Sequence, residues 1–70
     1  MSAAEETAWK AAMACQRAAD ALLGGSWEAC KGDQDAFAAY LEAYGALREA
    51  QKAAAKLGTV LGEKGKRDHD

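Results

Sequence analysis

The chain has 70 residues, of which 50% are hydrophobic and 29% are charged, with a formal net charge of −2 at neutral pH and no proline. This length allows one domain at most, near the lower limit for folding alone. Nineteen residues are alanine, isoleucine is absent and valine occurs once. Because alanine is the strongest helix former and β-branched residues favour strands, the composition disfavours a β-sheet and predicts an all-α fold.

The sequence also bears on location and on broad classes of partner. It has no run of about 18 apolar residues, so we expect no membrane span. The first residues, Met1 to Glu6, lack the basic start and apolar centre of a signal peptide. We therefore expect a cytoplasmic protein, in the host cytoplasm if the source is a virus. Charge is nearly balanced along the chain, without the basic patch that nucleic-acid binders show, so no nucleic-acid partner is expected.

The first helix is predicted over residues 3–23. Ser2 and Glu5 fit a capping box, in which the Ser2 hydroxyl accepts from the Glu5 amide and the Glu5 carboxylate reaches back to the Ser2 amide. Gly24-Gly25 is expected to end the helix, since glycine readily takes the left-handed cap conformation. One bent helix that continues through both glycines is the open alternative. Small residues recur at spacings of three and four, as in a narrow packing seam. The predicted seam contains Ala4, Ala8, Ala11, Cys15, Ala18 and Leu22.

Trp9 and Met13 lie one turn apart on the charged side of this predicted helix, where Glu6 and Lys10 are spaced for an ion pair. In one interpretation both residues belong to a wide hydrophobic core. In the other they form a solvent-facing pair that anchors a partner, since tryptophan and methionine are enriched at interface cores. Trp9 and Met13 are therefore candidate partner-binding residues.

The connection is predicted to contain a short helical turn over residues 26–31, which Ser26 caps and Gly32 ends. Trp27 lies in this turn. It either covers the end of a thin hairpin core or contacts a partner at the tip of a loop.

The second helix is predicted over residues 34–57, with Asp33 as its N-cap. Gly58 ends it, or one further turn extends it through Leu61. Its hydrophobic residues form an amphipathic stripe. The large members of this stripe are candidate contacts for a partner. They are Phe37, Tyr40, Tyr44 and Leu47.

Residues 62–70 have no apolar periodicity and are predicted to form a disordered polar tail behind a helical domain of residues 1–61. The single histidine, His69, lies in this tail, so no base is expected near a nucleophile. With Cys15 and Cys30 it does not supply the four ligands of a structural zinc site. The two cysteines are interpreted as small buried thiols, and their spacing does not decide whether they form a disulfide. We expect a protein that is not an enzyme and that has no metal, cofactor or small-molecule substrate.

The predicted architecture is an antiparallel two-helix hairpin, because a short connection makes consecutive helices neighbours. Two helices cannot fully cover two hydrophobic faces, so we expect a homodimer or docking on a larger protein to complete a bundle. Three functions remain open. The first is an adaptor or co-chaperone that caps or blocks a larger protein. The second is a phage-encoded inhibitor of a host regulatory or defence protein, and the third is a small RNA-binding bundle.

Residues 31–50 contain a glycine near the turn, an aromatic residue soon after it and an Ala-Leu step further on. These features are Gly32, Phe37 with Tyr40, and Ala46-Leu47. In this pattern the stretch resembles the second half of the small co-chaperones of type III secretion needle subunits, which are short helical hairpins. The resemblance implies a co-chaperone function, with Phe37, Tyr40 and Leu47 as the contacts to its partner.

Overall fold

The computed structural model describes residues 2–68, with side chains through Gly65, and it contains two α-helices in this range. Helix α1 spans Ala3–Cys30 and helix α2 spans Gln34–Asp68. Contacts pair the end of α1 with the start of α2, and the start of α1 with the end of α2, so the helices are antiparallel. The all-α class and the helical hairpin are therefore confirmed for the described residues. The hairpin is a rod that measures 57 × 15 × 10 Å between its Cα atoms.

Helix α1 begins as its sequence predicts. The Ser2 hydroxyl accepts a hydrogen bond of 3.0 Å from the Glu5 amide. One turn later the Lys10 ammonium lies 3.2 Å from the Glu6 carboxylate, which confirms the predicted ion pair. The other half of the predicted capping box is wrong, because the Glu5 carboxylate does not reach back to the Ser2 amide. It is directed across the hairpin, where a Cβ added at Gly62 would lie 2.9 Å from its Oε2. Glu5 therefore contributes to the contact between the helices.

The two helices are joined by a tight turn over Lys31, Gly32 and Asp33. The Asp33 amide donates to the Cys30 carbonyl at 3.2 Å, which closes a four-residue β-turn. Lys31 has φ −63° and ψ 122°, and Gly32 has φ 88°, the geometry of a type II turn. The third residue of such a turn needs positive φ, which glycine adopts without steric cost. Asp33 then caps α2 as predicted, since its Oδ1 accepts from the Ala36 amide at 3.1 Å.

The predicted end of the first helix at residue 23 is wrong. Helix α1 runs through Gly24 and Gly25 to Cys30, so the predicted separate turn over residues 26–31 is the last part of α1. Both glycines face open space, since a Cβ at either would meet nothing within 4 Å. Their low helix propensity costs about 1 kcal/mol each. The packing of Trp27 on α2 offsets this cost, because it stabilises the last turns of α1, after Gly25.

The predicted end of the second helix at residue 57 is also wrong, as is the disordered tail. Helix α2 continues to Asp68, so only His69 and Asp70 of the predicted tail lie outside the described residues. The last turns of α2 extend alongside the first turns of α1 and pack against them. Gly58 lies against Trp9, and Gly62 lies against Glu5. These contacts stabilise the helix beyond residue 57.

The contact between the helices is a seam of residues spaced three and four apart, as in an antiparallel coiled coil. In α1 the buried members are Ala8, Ala12 and Ala19. Of the predicted seam, Cys15 and Leu22 are half-buried here, whereas Ala4, Ala11 and Ala18 are exposed. The predicted seam differs from the observed one because alanine lies on several sides of α1. The spacing of the alanines therefore does not decide which stripe faces α2.

Helix α2 contributes the larger residues, and Tyr40 is its one buried large side chain among those described. The core is thin as a result. The chain exposes 5248 Å², against about 4,200 Å² for a compact monomer of this mass. Its radius of gyration is 16.2 Å, against about 11 Å for a compact domain of this length.

Candidate partner-binding surface

Four aromatic rings meet near the turn. Trp27 lies 5.6 Å from Phe37 at an edge-on angle and 5.7 Å from Tyr40, between ring centroids. Tyr40 is stacked on Tyr44 at 6.0 Å. Aromatic pairs at these separations add about 0.5–1.5 kcal/mol each to the burial of their surface. These contacts pack the two helices against each other at the end of the hairpin near the turn.

Tyr40 lies at the centre of this cluster and is only 6% exposed. Burial raises the pKa of its phenol above the ordinary value, and the neighbouring Tyr44 and Cys30 raise it further. The phenol is therefore neutral at physiological pH and acts as a core residue.

The outer side of the cluster carries large hydrophobic residues that the hairpin does not cover. Trp27 remains 37% exposed, although its ring contacts two residues of α2. Leu23, one turn before it, is 45% exposed, and Leu41, one turn after Phe37, is 52% exposed. We call these four residues, Leu23, Trp27, Phe37 and Leu41, the tryptophan patch. Trp27 thus both covers the end of the core, as one interpretation predicted, and presents surface to solvent.

The two candidate residues of the first helix are separated by the fold. Trp9 is half-buried and lies against Gly58, where an added Cβ would be 2.7 Å from its Cε2. Met13 is 53% exposed. Trp9 thus packs on α2 while Met13 faces solvent, and the role of the two residues in binding a partner stays a prediction.

The four candidate residues of the second helix all lie toward α1. Phe37, Tyr44 and Leu47 are half-buried, and Tyr40 is buried. Their primary role in the hairpin is to hold the helices together. Of these four, only Phe37 belongs to the tryptophan patch, where its ring contacts Trp27. The role of all four in binding a partner stays a prediction.

The sequence analysis does not identify Leu23 and Leu41 as site residues. It predicts that the first helix ends at Leu23, so it does not say which way the Leu23 side chain points. Leu23 and Trp27 are four residues apart, and this spacing places them on one face only if a single helix contains both, as α1 does. Leu41 follows Tyr40 directly and therefore falls beside the stripe, where a large aliphatic residue has no core role to fulfil.

Cys15 and Cys30 are free and half-buried. Fifteen residues of one helix separate them by about 22 Å, far beyond the reach of a disulfide. A disulfide between them within one chain is excluded while α1 is intact. In the part of the chain that the structure describes, no group of three or more His, Cys, Asp or Glu residues is placed to hold a metal ion.

Within residues 2–68, neither helix has an apolar stretch long enough to cross a membrane. A shallow depression of about 230 Å³ lies at the turn between Gly32, Asp33, Gln34 and Phe37. It adjoins the tryptophan patch through Phe37.

No protein-family model matches the chain, and neither a curated protein nor a solved structure matches it. The resemblance of residues 31–50 to the type III secretion co-chaperones therefore stays a prediction that depends on those residues alone.

Proposed function

We propose that this protein is a non-enzymatic interaction module that binds a larger protein through the tryptophan patch. The observation that carries the proposal is the exposure of three large hydrophobic side chains, Leu23, Trp27 and Leu41, around a rigid aromatic cluster. Tryptophan is the residue most typical of binding hot spots, where one side chain contributes several kcal/mol. Exposed clusters of this kind mark interaction sites in small proteins.

The contact between the two aromatic rings of the patch supports the same function. Trp27 and Phe37 are on consecutive helices joined by a three-residue turn, and their rings contact each other. A surface fixed before binding loses little conformational entropy when the partner arrives. A helical hairpin can thus cap or block a groove on a larger protein with its turn end.

The direct test is capture of partners from a lysate with the tagged chain, identified by mass spectrometry, followed by a binding titration with the purified partner. Leu41→Asp is expected to weaken binding at least about a hundredfold, since it puts a charge in the centre of an apolar interface. The matched control is Met13→Asp, because Met13 is as exposed as Leu41 but lies outside the patch.

Retained binding by Leu41→Asp, or a greater loss in Met13→Asp, would contradict the assignment to the tryptophan patch. Circular dichroism of both variants checks that helix content is unchanged. If capture instead yields nucleic acid, with an affinity that falls steeply as salt rises, the interaction module is wrong and an RNA-binding bundle replaces it.

A further inference from the structure

One row of buried positions runs through both helices at a constant spacing of seven residues. Counted from Glu5, every seventh residue as far as Leu61 is buried or half-buried, apart from Asp33 in the turn. Seven residues are close to two turns of an α-helix, so residues at this spacing lie on one face. The faces that α1 and α2 bury against each other would therefore coincide if one continuous helix replaced the turn. The row consists of Glu5, Ala12, Ala19, Ser26, Tyr40, Leu47, Ala54 and Leu61.

The second row of the seam shifts at the turn. It lies three residues after the common row in α1 and three residues before it in α2. Such a shift is a stutter, the insertion of four residues into the heptad pattern, and coiled coils accommodate it by local unwinding. Cys30, four residues after Ser26, is half-buried and lies where the stutter places it. A continuous helix would thus keep both rows of the seam on one side.

The contacts between the helices are also symmetric about the turn. In each of three contacting pairs, the two residues are equally far along the chain from the bond between Asp33 and Gln34. Two continuous helices related by a two-fold axis at that bond would make each of these contacts twice, with α1 of one copy against α2 of the other. Such an exchange of identical elements is domain swapping, a low-cost route to a dimer. The pairs are Trp9 with Gly58, Gln16 with Gln51, and Trp27 with Tyr40.

Few interactions hold the turn in place. The Asp33 amide donates to the Cys30 carbonyl, and Asp33 Oδ1 accepts from the Ala36 amide. A Cβ added at Gly32 would meet nothing within 4 Å. In a continuous helix, the carbonyls at the end of α1 and the amides at the start of α2 would gain helical partners that a helix end lacks. The sequence has no proline that would break such a helix.

We propose that the turn over Lys31, Gly32 and Asp33 is a hinge at which two copies of this chain exchange α2. In the exchanged dimer each chain is one long helix, and each α1 packs on the α2 of the other copy through the contacts of the hairpin. Because the dimer forms from two chains, its share rises with concentration. The inference goes beyond the binding of a larger protein and does not depend on it, since it concerns the purified chain alone.

The length of the dimer is the measurement that identifies the exchange. A helix from Ala3 to Asp68 is about 99 Å long, whereas the hairpin measures 57 Å. The purified chain is unfolded by heat, cooled in the millimolar range and separated by size. Light scattering is expected to give twice the 7.3 kDa of the chain, and small-angle X-ray scattering a maximum dimension of about 100 Å. A monomer at every concentration, or a dimer no longer than the hairpin, would overturn the proposal.

Gly32→Ala tests the hinge directly. Gly32 has φ 88°, which alanine rarely adopts, and alanine is also the better helix former. Both effects favour the continuous helix and act twice in a dimer, so the association constant is expected to rise at least about a hundredfold. Gly45→Ala is the matched control, because Gly45 is helical in both forms and faces open space. Equal dimerisation of the two variants would show that the turn is not the hinge.

Gln34→Pro tests the opposite direction. Gln34 is the first residue of α2, where proline fits because the amide at this position has no acceptor within the helix. In the continuous helix the same proline would lie in the interior and break it. The variant is expected to keep the helix content of the hairpin by circular dichroism and to lower the association constant at least about a hundredfold. A long dimer that persists in Gln34→Pro would contradict the exchange.

Discussion

The two ends of the hairpin are packed in different ways. Near the turn, rings from both helices meet, because Trp27 of α1 contacts Phe37 and Tyr40 of α2. At the open end, Trp9 of α1 lies against Gly58 of α2. One end therefore packs ring on ring, and the other packs a ring on a glycine.

This difference explains how so thin a core can hold two long helices in register. The Trp9 ring fits against Gly58 but would meet a larger residue if one helix slid along the other, and the ring contacts near the turn would be lost in the same movement. Glycines in α2 differ in the same way, because some are in close contact with α1 and others face open space. Gly58 accommodates a ring, whereas a Cβ at Gly45 would meet nothing within 4 Å.

The largest loss of stability is expected from a substitution in the aromatic cluster near the turn. Tyr40→Ala removes the central ring of the aromatic cluster and is expected to lower the free energy of unfolding by about 3–5 kcal/mol. For a hairpin of this size, that is a large share of the total stability. The measurement is urea unfolding followed by circular dichroism. Tyr40→Phe is the control, because it keeps the ring, and a comparable loss in that variant would contradict the packing explanation.

The next effect comes from the open end and tests the two kinds of glycine. Gly58→Ala places a methyl group 2.7 Å from Trp9 Cε2 and forces the ring to move, which is expected to cost about 1–3 kcal/mol. Gly45→Ala, on the same helix, is expected to stabilise the hairpin by about 0.5–1 kcal/mol. Thermal unfolding of the two variants measures this difference in sign.

A double-mutant cycle identifies the cause of the loss. In a Trp9→Ala background, Gly58→Ala is expected to cost far less, because the ring that it displaces is absent. If Gly58→Ala destabilises both backgrounds equally, the close approach of Trp9 is not the reason for glycine at this position.

Much of the local structure could be predicted from the sequence. The Ser2 and Asp33 caps and the Glu6–Lys10 pair are confirmed, and each depends on residues within four positions of one another. What could not be predicted depends on the other helix. Glycine and a polar composition argued for helix ends near residues 23 and 57, but the contacts of Trp27 and Trp9 across the hairpin outweigh these local preferences.

The candidate site was only partly accessible to sequence reasoning for the same reason. The aromatic stripe was recognised, but a stripe does not say whether its members face a neighbouring helix or a partner. The buried position of Tyr40 depends on the register between the helices. Leu41 became a candidate only when that register placed it beside the aromatic cluster and left it exposed.

A smaller effect than that of Gly58→Ala is expected midway along the hairpin. There Gln51 of α2 donates through Nε2 to Gln16 Oε1 at 3.3 Å. Its own Oε1 is buried and has no partner among the described residues. Rotating the Gln51 amide by 180° would set its oxygen against Gln16 Oε1, where two acceptors meet, so it does not remove the cost of the buried polar group.

Gln51→Leu removes this cost and is expected to raise the free energy of unfolding by about 1 kcal/mol. Gln16→Leu is the matched control and is expected to give no such gain, because Gln16 is exposed and its amide is hydrated in either state. Urea unfolding of both variants measures the difference. A loss of stability in Gln51→Leu would mean that the glutamine pair itself holds the helices together at this level. A gain would mean that the chain keeps a costly polar residue in its seam, as coiled coils do where one polar position fixes the register between regions of different packing.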